Sequence, residues 1–162
     1  MYRWIVFVHV LSALAFFMAH GASAAMAFLV KKEKNPDRLR AILDLSQAAV
    51  PFAYFALMGL VIAGIVAGIM SNWFSMGWIW ASIVLLVLLF FGMHGYAAAF
   101  YTPLRKALGL AYHDRQGEHP AAPPASNAEI IRLAQRTSPR LFTGVSFAVV
   151  GVIVYLMMFK PF

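Results

Sequence analysis

Three histidines stand inside otherwise apolar runs: His9, His20 and His94. An imidazole placed in hydrocarbon is a candidate ligand or proton-handling group, because a polar side chain there is costly unless it serves a function. On a helix turning about 100° per residue, His9 and His20 return to nearly the same face. That face reads His9, Ser12, Ala13, Phe16, His20, Ser23, Ala24 and Ala27, small and polar, while Phe7, Leu11, Leu14 and Met18 lie opposite. The histidines are therefore expected to point into a bundle and the larger apolar residues to point at lipid.

Depth selects a pair. The first run proceeds inward from Trp4 and the third from about Trp78. His20 and His94 each follow those tryptophans by sixteen residues, or about 24 Å of helix. Their surroundings match as well, His-Gly-Ala-Ser-Ala-Ala after one and His-Gly-Tyr-Ala-Ala-Ala after the other. Two neutral imidazoles on facing helices can ligate haem iron axially, with small neighbours leaving room for a flat macrocycle. The expected site is thus haem b between His20 and His94, with Phe90, Phe91 and Tyr101 packing on its edges. The competing reading takes the same histidines as interhelical hydrogen-bonding residues of a cofactor-free subunit. His113 and His119 fall in a loop and are expected to be solvated.

Copper is the alternative ligand, since His and Met suit Cu(I). Of the nine methionines, Met18 points away from His20 and Met93 lies a quarter-turn off His94. Met70 and Met76 fall near the level of His9, so an outer His9/Met76 site is the copper candidate. Flexible core filling is the ordinary use of such methionines. No Ser/His/Asp set, paired carboxylate or glycine-rich phosphate loop is present, so catalysis by this chain alone is not expected. The apolar runs hold no Asp, Glu, Lys or Arg, which argues against an ion pump or coupled transporter.

The elements that must position these groups follow from composition. With 62% hydrophobic and 12% charged residues over 162 positions, the chain has too little charge to cover a soluble surface. The absence of cysteine excludes disulfides, thiolate metal sites and covalent haem attachment. Four apolar runs, residues 4–30, 45–70, 76–100 and 141–159, each approach the length that crosses a bilayer. Arg3 ahead of an apolar stretch and the small residues 19–25 resemble a signal peptide. That run is longer than a signal core and closes on Lys31-Lys32, so an uncleaved spanning helix is expected.

Charge placement orients the bundle. Arg3 and Lys160 lie near the ends, and the other eleven basic residues fall in two loops, 31–44 and 101–140. The turn around residues 71–75 carries none, and Trp4, Trp73, Trp78 and Trp80 gather on its side. The net charge of +7 is therefore membrane topology rather than a nucleic-acid face: basic loops in the cytoplasm, both termini outside. The fold expected is all-α, a single membrane domain over residues 1–162 forming an antiparallel four-helix bundle in a bacterial inner membrane. Lipid is its first partner, with a second copy or a membrane redox complex as its protein partner.

The long loop has features of its own. Pro103 is expected to open a basic amphipathic stretch over residues 104–115 lying along headgroups. A Pro/Ala linker follows over residues 119–124. Ser126 and Glu129 then form a capping-box pattern for a short helix to about Thr137. Gly64 with Gly68, and Gly144, Ala148 and Gly151, are small stripes that let helices approach closely.

The opening Phe7-Val8-His9-Val10-Leu11, with a glycine some turns later, resembles the start of small four-helix bacterial membrane proteins. These include a group of predicted integral membrane proteins of unknown function and the membrane part of copper-resistance D proteins. The ending Met157-Met158-Phe159-Lys160-Pro161 is similar to that of the uncharacterised group. The membrane protoporphyrinogen oxidase family also resembles the chain in having four helices and an early histidine. That resemblance implies His9, rather than His20, as a haem ligand.

Overall fold

A backbone crossing hydrocarbon must satisfy its own amides, and a long apolar run does so as a helix. The computed structural model, which describes every residue except Arg115, takes that solution. Helix α1 spans Tyr2–Lys32, α2 Pro36–Met70, α3 Gly77–Ala107, α4 Asn127–Arg136 and α5 Pro139–Phe159. A small antiparallel hairpin, β1 Tyr112–Asp114 with β2 Gly117–His119, precedes α4. Four helices are long and apolar enough to cross a membrane: α1, α2, α3 and the stretch Asn127–Phe159 that carries α4 and α5.

The connections are shorter than charge alone suggests. Residues 36–44, expected to be loop because of the basic residues across 31–44, form the first turns of α2. Asn35 caps that helix by accepting from the Asp37 and Arg38 amides at 2.9 and 3.3 Å, with Pro36 at its first position; both are strong start signals. Pro103 does not open a new helix but lies inside α3, which runs on to Ala107. The chain then turns at Gly109 (φ 75°), where an added Cβ would stand 2.5 Å from the Ala122 carbonyl oxygen. Only glycine suits that backbone and that approach. Ser126 caps α4 by accepting from the Glu129 amide at 3.4 Å. The Glu129 carboxylate does not return to the cap; it pairs with Arg132 at 2.7 Å.

Each end of the bundle has its own core. At the basic end, Val30, Leu39, Leu43, Leu104, Leu108, Ile130 and Ala134 join α1, α2, α3 and α4. Three cations there are turned onto main-chain carbonyls. Lys31 reaches the carbonyls of Gln135 and, at 2.7 Å, Thr137. Arg40 donates to Leu108 at 3.0 Å, and Arg105 to Leu43 and Ala111 at 3.1 and 2.9 Å. A cation at a helix C-terminus stabilises it by about 0.3–1 kcal/mol. At the other end, Trp78, Ile79 and Leu156 pack with Trp73 and Phe74. Lys160 Nζ sits 4.1 Å over the Trp73 ring, and the Trp78 amide donates to the Phe162 carbonyl at 3.1 Å.

Between these ends the helices form two close pairs, α1 with α2 and α3 with α5, while α1 meets α5 over a smaller area. Glycines make the first pair close. A Cβ on Gly59 would lie 2.8 Å from the Ser12 Oγ, and one on Gly64 3.0 Å from the His9 ring. Gly68 serves a different neighbour, Phe74 of the turn, so Gly64 and Gly68 are not one helix interface. Gly144 and Gly151 face open space. Helices α2 and α3 make no extended contact along their length.

Candidate functional site

His20 is buried, 6% exposed, where α1 meets α5. Its neighbour on α1, Met18, is 73% exposed, so the two faces of this helix differ sharply. Phe16 stacks on the imidazole with ring centres 6.4 Å apart, and Phe147 lies at 5.2 Å. His20 Nε2 is 3.0 Å from the Ser146 Oγ. The Ser146 hydroxyl has one proton and directs it to the Thr143 carbonyl, 3.0 Å away, which can only accept. It therefore accepts from His20, whose proton is assigned to Nε2 by this bonding. The lone pair is left on Nδ1, which is buried and has no partner.

His94 is placed differently. It is exposed, on the side of α3 that approaches α2, and its Nε2 lies 3.3 Å from the Tyr54 hydroxyl. Phe90 is in ring contact with it at 5.0 Å. Phe91 touches Phe90 but is 66% exposed, on the outside of α3. Tyr101 turns instead to a space between α1, α2 and α3, beside Ser23 and Ser46. Of the three aromatics expected around His94, Phe90 alone makes ring contact with it.

Packing registers set the relative depth of the two histidines. On the antiparallel pair α3 and α5, Tyr96 stacks on Phe142 at 4.1 Å, and Gly92 and Ser146 line one groove of about 190 Å³. Ser146 therefore lies opposite residue 92, and His94 stands about 3 Å further along. On α1 and α2, His9 faces Leu60 and Gly64 while Ser12 faces Gly59. Carried along both helices, that register brings Tyr54 within about a turn of His20. His20, Ser146, Tyr54 and His94 thus form one polar layer: a hydrogen-bonded pair where α1 meets α5, and another where α2 approaches α3.

The remaining candidates lie elsewhere. His9 Nδ1 donates to the Leu60 carbonyl at 2.9 Å, which leaves Nε2 as its lone pair. Met76 Sδ accepts from the Trp78 indole at 3.3 Å. Among the described residues, no three His, Asp or Glu side chains gather as a metal site. In the hairpin, His119 stacks on Tyr112 at 4.6 Å and meets Asp114 at 2.9 Å. The Gln116 amide and the His119 side chain hold the Asp114 carboxyl below the usual carboxylate range.

Sequence reasoning did not single out Ser146 or Tyr54. Each is a polar residue in an apolar run, which was the signal for the histidines too. A hydroxyl can satisfy itself on its own helix, as Ser82 does on the Trp78 carbonyl at 2.9 Å, so that signal is weaker. No known family, no curated protein and no solved structure matches the chain.

Proposed function

We propose that the polar layer is the functional centre of a b-type haem protein that carries electrons in a membrane, with His20 and His94 as the axial ligands. The observation that carries this reading is the buried, unpartnered lone pair on His20 Nδ1. An unmet acceptor in hydrocarbon is costly, and a metal centre would use it. The common level of the two histidines supports the reading. Ser146 would fix the ring of His20 through Nε2, and Tyr54 would orient His94; such partners set ligand tautomer and strength. Phe16 and Phe147 would exclude water from the His20 side. The haem itself supplies one-electron chemistry.

In this reading the basic end faces the cytoplasm and both termini face outward, in a bacterial inner membrane, where a second copy or a membrane redox complex is the electron partner. Absorption spectra of the chain purified from haem-replete cells, oxidised and then reduced with dithionite, test the proposal. A Soret band with a sharp reduced α band is expected; a colourless, fully helical protein overturns it.

A second reading, a cofactor-free structural or assembly subunit, is favoured by one observation. Both histidines already have a hydroxyl neighbour from another helix, Ser146 at 3.0 Å and Tyr54 at 3.3 Å. Interhelical hydrogen bonds of that kind hold membrane bundles together without any ligand.

A further inference from the structure

Besides His20 Nδ1, one other side-chain polar atom among the described residues is buried without a partner, the Tyr101 hydroxyl. Its neighbour Tyr96 stands edge-on, ring centres 5.8 Å apart, and accepts from the Ser138 amide at 3.1 Å. The two phenols face each other, but no hydrogen bond of normal length and angle joins them. An unmet hydroxyl away from water is costly, so a partner is to be expected.

Tyr101 lines a cavity of about 50 Å³ between α1, α2 and α3. Ser23 of α1 and Ser46 of α2 line it as well, and Val30 and Leu43 of the basic-end core close one side. A water needs roughly 10–15 Å³ of such space and two to four polar partners, whereas cavities that stay dry are apolar. Here three hydroxyl-bearing residues from three helices line room for more than one water.

We propose that this cavity is a resident water site, in which the Tyr101 hydroxyl donates to ordered water shared with Ser23 and Ser46. The position gives it a role. Beyond the basic-end core and the Arg105 hydrogen bond to Leu43, helix α3 makes no extended contact with either α1 or α2, and bridging water adds a polar junction among the three. A water bridge of this kind is enthalpically close to a direct hydrogen bond. The inference stands on the cavity and is independent of whether the polar layer binds haem.

Met26 also lines the cavity and serves as a built-in reporter. Hydroxyl radicals generated from water by a millisecond X-ray pulse oxidise side chains next to bound water. In the full chain reconstituted in lipid nanodiscs, Met26 should be oxidised several-fold faster than the lipid-facing Met18 and Met58. Tyr101→Phe, which keeps the ring, should lose most of that excess. Equal rates at Met26 and Met18 overturn the proposal, as does an excess that Tyr101→Phe leaves unchanged. Should that variant fail to fold, the comparison within the unaltered chain still decides.

Discussion

His20 and Ser146, 126 residues apart in the chain, meet at 3.0 Å where α1 approaches α5. Because the serine proton goes to Thr143, the contact fixes the imidazole tautomer and leaves Nδ1 as the free lone pair. Ser146→Ala removes the partner of Nε2 and leaves both ring nitrogens unmet. Interhelical hydrogen bonds in bilayers are worth roughly 0.6–2 kcal/mol. A loss of about 1 kcal/mol is expected in reversible unfolding from mixed micelles. Unchanged stability would mean that the pair contributes nothing.

Glycine substitutions should separate close approach from open space. Gly59→Val places a branched side chain where a Cβ already stands 2.8 Å from the Ser12 Oγ. Overpacking of that kind costs about 1–3 kcal/mol. Gly144→Ala, where nothing lies within 4 Å, should be neutral or slightly stabilising. Thermal melting in detergent checks both, and equal effects would contradict the α1–α2 packing described.

The connection between α1 and α2 is pH-sensitive in a defined direction. The Asn35 and Lys34 amides both donate to the Glu33 carboxylate, at 2.9 and 2.8 Å, and lower its pKa. A depressed carboxyl contributes stability above its unfolded pKa and loses it as pH falls through the folded value. Amide exchange at Lys34 and Asn35 should therefore show extra opening on acidification through that range. Glu33→Gln should remove the acid-dependent step, and a step that persists would assign it to another group.

Topology can be tested apart from any cofactor. Reporter fusions after Ser71 and at the C-terminus should read as outside, and one after Gln116 as inside. The reverse pattern would show that the eleven-residue basic bias does not set the orientation.

The exposed apolar face of α1 is legible in the sequence because a helix in a bundle has two sides and apolar bulk marks one of them. Leu14 and Met18 are exposed while Phe16 and His20 are buried. The helix ahead of Pro139 is legible for a local reason, the Ser126 cap with Ile130 and Ala134 on one face. Partners across the bundle are not legible this way. A helical wheel gives the direction of His20 but not which helix stands there, so Ser146 and Tyr54 are visible only once packing is known. Charge counting likewise places Lys31, Arg40 and Arg105 at one end, yet cannot tell that each turns onto a carbonyl. The β1–β2 hairpin escapes notice because three-residue strands carry almost no periodicity; its His119–Tyr112 stacking and His119–Asp114 contact depend on register.

The central claim, a haem held by His20 and His94, is tested most directly by reduced-minus-oxidised spectra of three leucine variants beside the unaltered chain. Leucine inserts readily into a bilayer, so haem loss cannot be ascribed to failed insertion. His20→Leu and His94→Leu should each abolish the low-spin signal. His9→Leu should retain it, because eleven residues place His9 about 16 Å along α1 from His20. Loss in His9→Leu with retention in His20→Leu would contradict the pairing and move the ligand to the outer histidine. No haem in the unaltered chain would contradict the claim altogether.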